Sequence, residues 1–124
     1  MSFIDISLPD SGDIAKLFKA VTNVNLTALW KRDDNTVPYS QRIGVQLRTR
    51  PSTAKSKRKV SAQIVYPYVS NADTGAVDYV SVHVDLLAGE DAPDAAILDA
   101  ISFAENFLQT QQFQSAASNG VHPS

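Results

Sequence analysis

In the stretch RIGVQLRTRPSTAKSKRKVSAQIVYPYV, positions 42 to 69, apolar and polar residues alternate. Ile43, Val45 and Leu47 form one set, continued by Val60, Ala62, Ile64 and Tyr66. Arg42, Gly44, Gln46 and Arg48 form the other, continued by Lys59, Ser61 and Gln63. A period of two places the sets on opposite faces of a strand. Residues 39–50 and 57–68 are therefore expected as two strands joined by the polar PSTAKSK connection. VDYVSVHVDL at 77–86 repeats the design, with Val80, Val82, Val84 and Leu86 on one side and Tyr79, Ser81, His83 and Asp85 on the other. FIDISL at 3–8 and NLTALWK at 25–31 read as further strands. PDSGD, RDDNTVP and SNADTG read as turns and loops. IAKLFKAV at 14–21 has two readings: Ile14, Leu17, Phe18 and Val21 fit a helical stripe, and its place after a tight turn fits a hairpin partner.

Past Leu87 the period changes. In GEDAPDAAILDAISFAENFL, acidic residues and Pro93 stand where a helix begins, which suits the helix dipole and a first-turn proline. Ile97, Ala100, Ile101, Ala104, Phe107 and Leu108 make an i, i+3, i+4 stripe. A break near Thr110 and a short second helix over QQFQSAAS follow, capped at Asn119-Gly120. Strands first and helices last predict an α+β fold: an antiparallel sheet with helices on one face. One domain spans 1–124, divided as an N-terminal hairpin over 3–21, a main antiparallel sheet over 24–86 and two helices over 92–119. A long and a short helix cover only part of such a sheet, so an obligate homodimer is expected, each copy lending its helices to the other.

Composition narrows the function classes. The 124 residues are 44% hydrophobic and 19% charged, ordinary for a globular chain. There are no cysteines, hence no thiolate nucleophile, disulfide or cysteine zinc site. The opening MSFIDISLPD shows no signal-peptide pattern, and no apolar run approaches membrane length, so a chain of the cytosol, or of a particle assembled there, with no membrane partner is expected.

Ser81, His83 and Asp85 have the residue types of a hydrolytic triad but lie two apart on one strand face. Their side chains then stand roughly 6.5–7 Å from one another, against about 3 Å for hydrogen-bonded catalysis. No nucleophile elbow, phosphate loop or dinucleotide fingerprint is present. No catalytic residue, metal site or cofactor is assigned, and the expectation is that the chain is not an enzyme.

The net charge of −2 hides an asymmetry. Between Asn35 and Ala72 there is no Asp or Glu, yet Arg42, Arg48, Arg50, Lys55, Lys57, Arg58 and Lys59 lie there; the remainder carries all 13 acidic residues. Lys55 to Arg58 fit a solvated hairpin tip as well as a binding patch. Arg42 and Arg48 alternate with core residues and must project from a sheet face. One basic face on a mildly acidic protein suits a polyanion. Arg42, Arg48 and Lys59 are candidates to neutralise phosphates. Gln46, Ser61, Gln63 and Ser81 are candidates to bond base edges and sugar hydroxyls, and Tyr79 to stack an unpaired base. Each alone also fits an ordinary solvated or cross-strand role; together they point to single-stranded or looped RNA.

The order of elements, with ALW at 28–30, SKRKVSAQIVYP at 56–67, Tyr79 opening the last strand and AASNGV near the end, resembles the coat proteins of single-stranded RNA bacteriophages, the levivirus type. The likeness covers most of the chain, best from Leu26 to Leu86. It implies an intertwined dimer with a continuous sheet, assembly into an icosahedral capsid, and a polar sheet face turned toward the genome. It further implies binding of an RNA hairpin that represses translation and marks the genome for packaging, in a virion assembled in the cytoplasm of a bacterial host. The RNA-binding positions the resemblance implies are Arg42, Gly44, Gln46, Ser61, Gln63, Tyr79 and Ser81; Arg48, Lys59 and His83, from the same polar sets of alternating residues, complete the expected RNA-binding face. Gly44 and Ser61 stand where such proteins often carry a threonine pair, Gln63 replaces an expected lysine, and His122-Pro123-Ser124 extends past the usual ending. The Ser70 to Val77 loop, which in the family clusters at symmetry axes, is short. A dimeric RNA-binding regulator that forms no shell is the rival expectation.

Overall fold

The computed structural model describes residues 3–51 and 57–120; Lys55 of the basic cluster and the 122–124 extension lie outside them. Six strands form one antiparallel meander in chain order: β1 (Ile6–Pro9), β2 (Ala15–Val24), β3 (Thr27–Arg32), β4 (Gly44–Arg50), β5 (Arg58–Asn71) and β6 (Ala76–Ala88). Helices α1 (Asp94–Leu108) and α2 (Gln111–Asn119) follow.

The ambiguous segment 14–21 is strand. Phe18 stands opposite Ile6 of β1 and Arg32 of β3, and is buried. Its helix-like spacing has a local cause: Leu17 and Phe18 face opposite sides, and a bulge at Val21 shifts the alternation before Thr22. The strand expected from 39 begins later, because residues after Pro38 form a 3-10 turn, Tyr39–Gln41, before β4 starts at Gly44.

Turns follow the short polar side chains. Between β1 and β2, Asp10 Oδ1 accepts hydrogen bonds from the backbone N–H groups of Gly12 at 2.9 Å and Ile14 at 3.0 Å. The bonds from Ile14 and then Gly12 hold the Asp10 carboxyl below its ordinary value. Stabilisation from a depressed carboxyl is complete above that ordinary value and is lost as pH falls through the folded one. Amide exchange across β1–β2 should therefore lose protection in acid beyond the loss elsewhere in the sheet, and Asp10→Ala should remove the difference. β5 and β6 form the longest hairpin and pair almost without interruption from Arg58↔Ala88 to Asn71↔Ala76. Its turn closes through Gly75 N–H to Asn71 O at 2.8 Å, with Gly75 in the left-handed region at φ 71°. The expected 70–77 loop is thus only the four residues 72–75. In α2, Thr110 caps the start by accepting from Phe113 N–H at 3.3 Å, and Gly120 at φ 67° ends it.

Cross-strand partners share a face, so the register sorts the sheet. The apolar side carries Trp30–Val45–Ile64–Val82 and Ala28–Leu47–Ala62–Val84 as rows across β3 to β6. Trp30 anchors the N-terminus: its ring meets Phe3 at 5.1 Å and its Nε1–H donates to Ile4 O at 2.8 Å. Cover on this side is incomplete. Among the described residues the buried apolar side chains are Phe18, Ala28 and Ala88, and neither helix buries any residue. The helices pack on each other through Phe107 and Phe113, centroids 5.9 Å apart. α1 stands off the sheet, leaving an apolar cleft of about 790 Å³ between Ile101, Ala104 and Leu108 and the strand residues Ile64, Val84 and Leu86.

The accessible surface is 9484 Å². A compact monomer of 13.4 kDa is expected to expose roughly 6500 Å². The excess of about 3000 Å² per chain, roughly 6000 Å² over two copies, is on the scale that a large obligate interface removes from both partners together. β6 adds an edge strand of 13 residues with no neighbour on its outer side among the described residues.

Candidate nucleic-acid interface

The opposite face gathers nearly all the candidate residues because every pair from β4 to β6 is in antiparallel register. Four rows run across the sheet. Gly44, Val65 and Ser81 form the first; Gln46, Gln63 and His83 the second; Arg48, Ser61 and Asp85 the third; Arg50, Lys59 and Leu87 the fourth. Tyr79, opposite Pro67 on the same face, precedes Ser81 and is 62% exposed. Successive rows stand about 7 Å apart. A shallow depression of about 410 Å³ runs over the second, third and fourth rows, floored by Gln46, Ser61, Gln63 and His83 and walled by Arg48, Arg50 and Lys59.

Arg42 departs from this arrangement. It precedes β4, and its Nε–H donates to Val37 O at 3.3 Å while its guanidinium lies 5.7 Å from the Tyr39 ring centroid. Its charge thus stands at the end of the face, tied to the 33–42 loop. Arg50, which the alternation places on this side although it was not among the candidates, joins the face and braces the base of the next connection by donating from Nη2 to Lys57 O at 3.2 Å.

Electrostatically the face is cationic and unneutralised. Among the described residues the ion pairs are Lys16–Asp10 and Arg32–Asp34, both away from it. Asp85 is its one carboxylate within the four rows, against Arg48, Arg50 and Lys59. No cluster of three or more metal-binding side chains occurs among the described residues. Ser81, His83 and Asp85 lie in three successive rows, the spacing that rules out a hydrogen-bonded triad. The arrangement presents cations beside amides, hydroxyls and an exposed ring, the parts that grip a flexible polynucleotide strand.

No family model and no curated protein sequence matches this chain. Solved structures do. The virus-like particle of bacteriophage AVE019 is 17% identical at TM-score 0.86, with all of both chains covered. The coat protein of bacteriophage EMS014 is 15% identical at TM-score 0.79, again over both chains entirely. An unassembled virus coat protein dimer, a bacteriophage RNA-binding dimer, is 19% identical at TM-score 0.66, covering 100% of this chain and 99% of its own. At such identities the likeness establishes the fold: a curled six-stranded antiparallel sheet followed by two helices, the RNA phage coat protein fold.

Proposed function

We propose that this chain, built on the RNA phage coat protein fold, is a capsid subunit: a homodimer that assembles into an icosahedral shell and holds single-stranded RNA on its polar sheet face. The observation that carries the proposal is the two-sidedness of the sheet. Among the described residues, one side and one edge are apolar or unpaired and lack cover from the chain itself, while the other side sets Arg48, Arg50 and Lys59 against the single carboxylate of Asp85.

The completing partner is a second copy. Joining β6 to β6 of that copy satisfies the free edge and makes one continuous sheet across the dimer. Exchanged helices then fill the cleft that α1 leaves open, and the exposed Leu98, Ile101, Phe103 and Phe107 become interface rather than surface. Arg48, Arg50 and Lys59 neutralise phosphates, Gln46, Ser61, Gln63, Ser81 and His83 offer hydrogen bonds to bases and sugars, and Tyr79 stacks a base. A hairpin loop, whose bases are already splayed, meets a flat face better than duplex RNA does. Gly44 contributes no side chain to this set. Recognition of one such hairpin would couple packaging to repression of translation, and the chain would then reside in the virion after assembly in its host.

Electron microscopy and nuclease treatment of purified protein test this together. Uniform shells of megadalton mass containing nuclease-protected RNA are expected. A stable dimer that binds RNA but never forms shells would favour a free RNA-binding regulator instead. Within the face, Tyr79→Ala should weaken binding of an RNA hairpin by about 1–3 kcal/mol, the worth of one base–aromatic stack, while particles still form. Filter binding against the unchanged protein measures it.

A further inference from the structure

Gly44 is the one candidate position with no side chain to offer RNA, and Lys31 fills the space beside it. Lys31 lies opposite Gly44 on the polar face. A Cβ at position 44 would stand 3.6 Å from Lys31 Cε and Nζ and 3.7 Å from its Cδ. The lysine is therefore laid across the glycine, with its ammonium on the face where a side chain from residue 44 would project.

Two further cations stand beside it. Lys19 of β2 is the register partner of Lys31. Arg42 approaches the Tyr39 ring that Lys31 Nζ also approaches, at 5.5 Å from the centroid. Tyr39 is 50% exposed. Among the described residues no carboxylate lies within 4.0 Å of any of the three cations. The loop carboxylate Asp34 is engaged by the Thr36 hydroxyl at 2.6 Å and by Arg32 at 3.9 Å. Like charges directly opposite on neighbouring strands destabilise a sheet, and Lys19 against Lys31 is such a pair. A polyanion lying over them turns that cost into attraction.

We propose that Lys31, with Lys19 and Arg42 around Tyr39, is a second phosphate site for single-stranded RNA, extending the polar face from β4–β6 across β3 onto β2. A bare Cβ at position 44 would only touch Lys31, whereas a branched side chain there would crowd it. β3 and β6 are three strand spacings apart, about 14 Å, so one RNA segment crossing the sheet reaches both sites. The inference rests on the RNA-binding reading above.

The test is the salt dependence of binding between the full-length protein and a fluorescent single-stranded RNA oligonucleotide. Each lost phosphate contact lowers the slope of log affinity against log salt by about 0.7. Lys31→Gln should show that decrease and bind about fivefold more weakly at 0.1 M salt; adding Lys19→Gln should double the change in slope. Gly44→Val leaves every charge in place but crowds Lys31, and should weaken binding by a similar factor. Secondary structure by circular dichroism and the oligomeric mass should not change. Ultraviolet cross-linking of the unmodified protein to RNA should place nucleotide on the peptide containing Tyr39, which keeps the test open if a variant fails to fold. An unchanged slope for Lys31→Gln and no cross-link at Tyr39, while Arg48→Gln does lower the slope, overturns the second site and leaves RNA binding by the central face standing. No RNA binding by the unmodified protein overturns both.

Discussion

Removal of residues 92–124 is expected to leave no soluble protein. The helices bury nothing within their own chain, so a monomer-based view predicts a mild effect. In the proposed dimer their apolar residues cover the partner's sheet. α1 alone exposes Leu98, Ile101, Phe103, Phe107 and Leu108. Burying each is worth roughly 1.5–3 kcal/mol, together on the order of 10 kcal/mol, comparable with the whole stability of a small domain. Without them the apolar face of the sheet and the β6 edge lie bare, and such surfaces aggregate. The double substitution Ile101→Asp, Phe107→Asp should act alike, placing carboxylates in the cleft without shortening the chain. Sedimentation of the soluble fraction after expression measures both; a soluble, folded monomer from either would show that the helices cover nothing.

The second large effect concerns the opposite face. Replacing Arg48, Arg50 and Lys59 together by Gln should reduce the affinity for single-stranded RNA about a hundredfold at 0.1 M salt and lower the salt slope by about 2, at 0.7 for each lost phosphate contact. Folding should survive, because Arg48 and Arg50 are exposed, Lys59 is half-exposed, and among the three only the Arg50 guanidinium makes a described hydrogen bond, to Lys57 O. Particles that assemble from this variant should carry less nuclease-protected RNA per shell, read from the ratio of absorbance at 260 and 280 nm. Fluorescence anisotropy over a salt series gives the affinity. An unchanged slope would remove the face from RNA binding while leaving the capsid proposal standing.

The features legible in the sequence are those set by local periodicity. Strict alternation in 43–48, 59–66 and 79–86 marked β4, β5 and β6 and sorted Gln46, Ser61, Gln63 and Ser81 onto one side before any register was known. The stripe in α1, the Thr110 break and the Gly120 cap were legible for the same reason, since caps and stripes are decided by neighbours within a turn or two. The 14–21 segment was not, because the bulge at Val21 and the pairing with β1 and β3 are tertiary facts that override a short apolar pattern. Arg42 looked like a face residue by alternation, yet its hydrogen bond to Val37 O depends on the path of the 33–42 loop. Lys31 and Tyr39 gave no signal, since the contact of one with Gly44 and of both with each other arises from strand register and a 3-10 turn. Glycine at 44 reads as a missing contact when considered alone; in the fold the Lys31 side chain from the neighbouring strand lies beside it.

A density map of the purified particle by electron cryomicroscopy would examine both sides of the sheet at once. It should show β6 paired with β6 of a second copy, that copy's helices over Ile64, Val82 and Val84, and RNA density against the Gln46–Gln63–His83 row. Helices folded back over their own strands, or RNA lying on the Trp30–Val45 side, would contradict it.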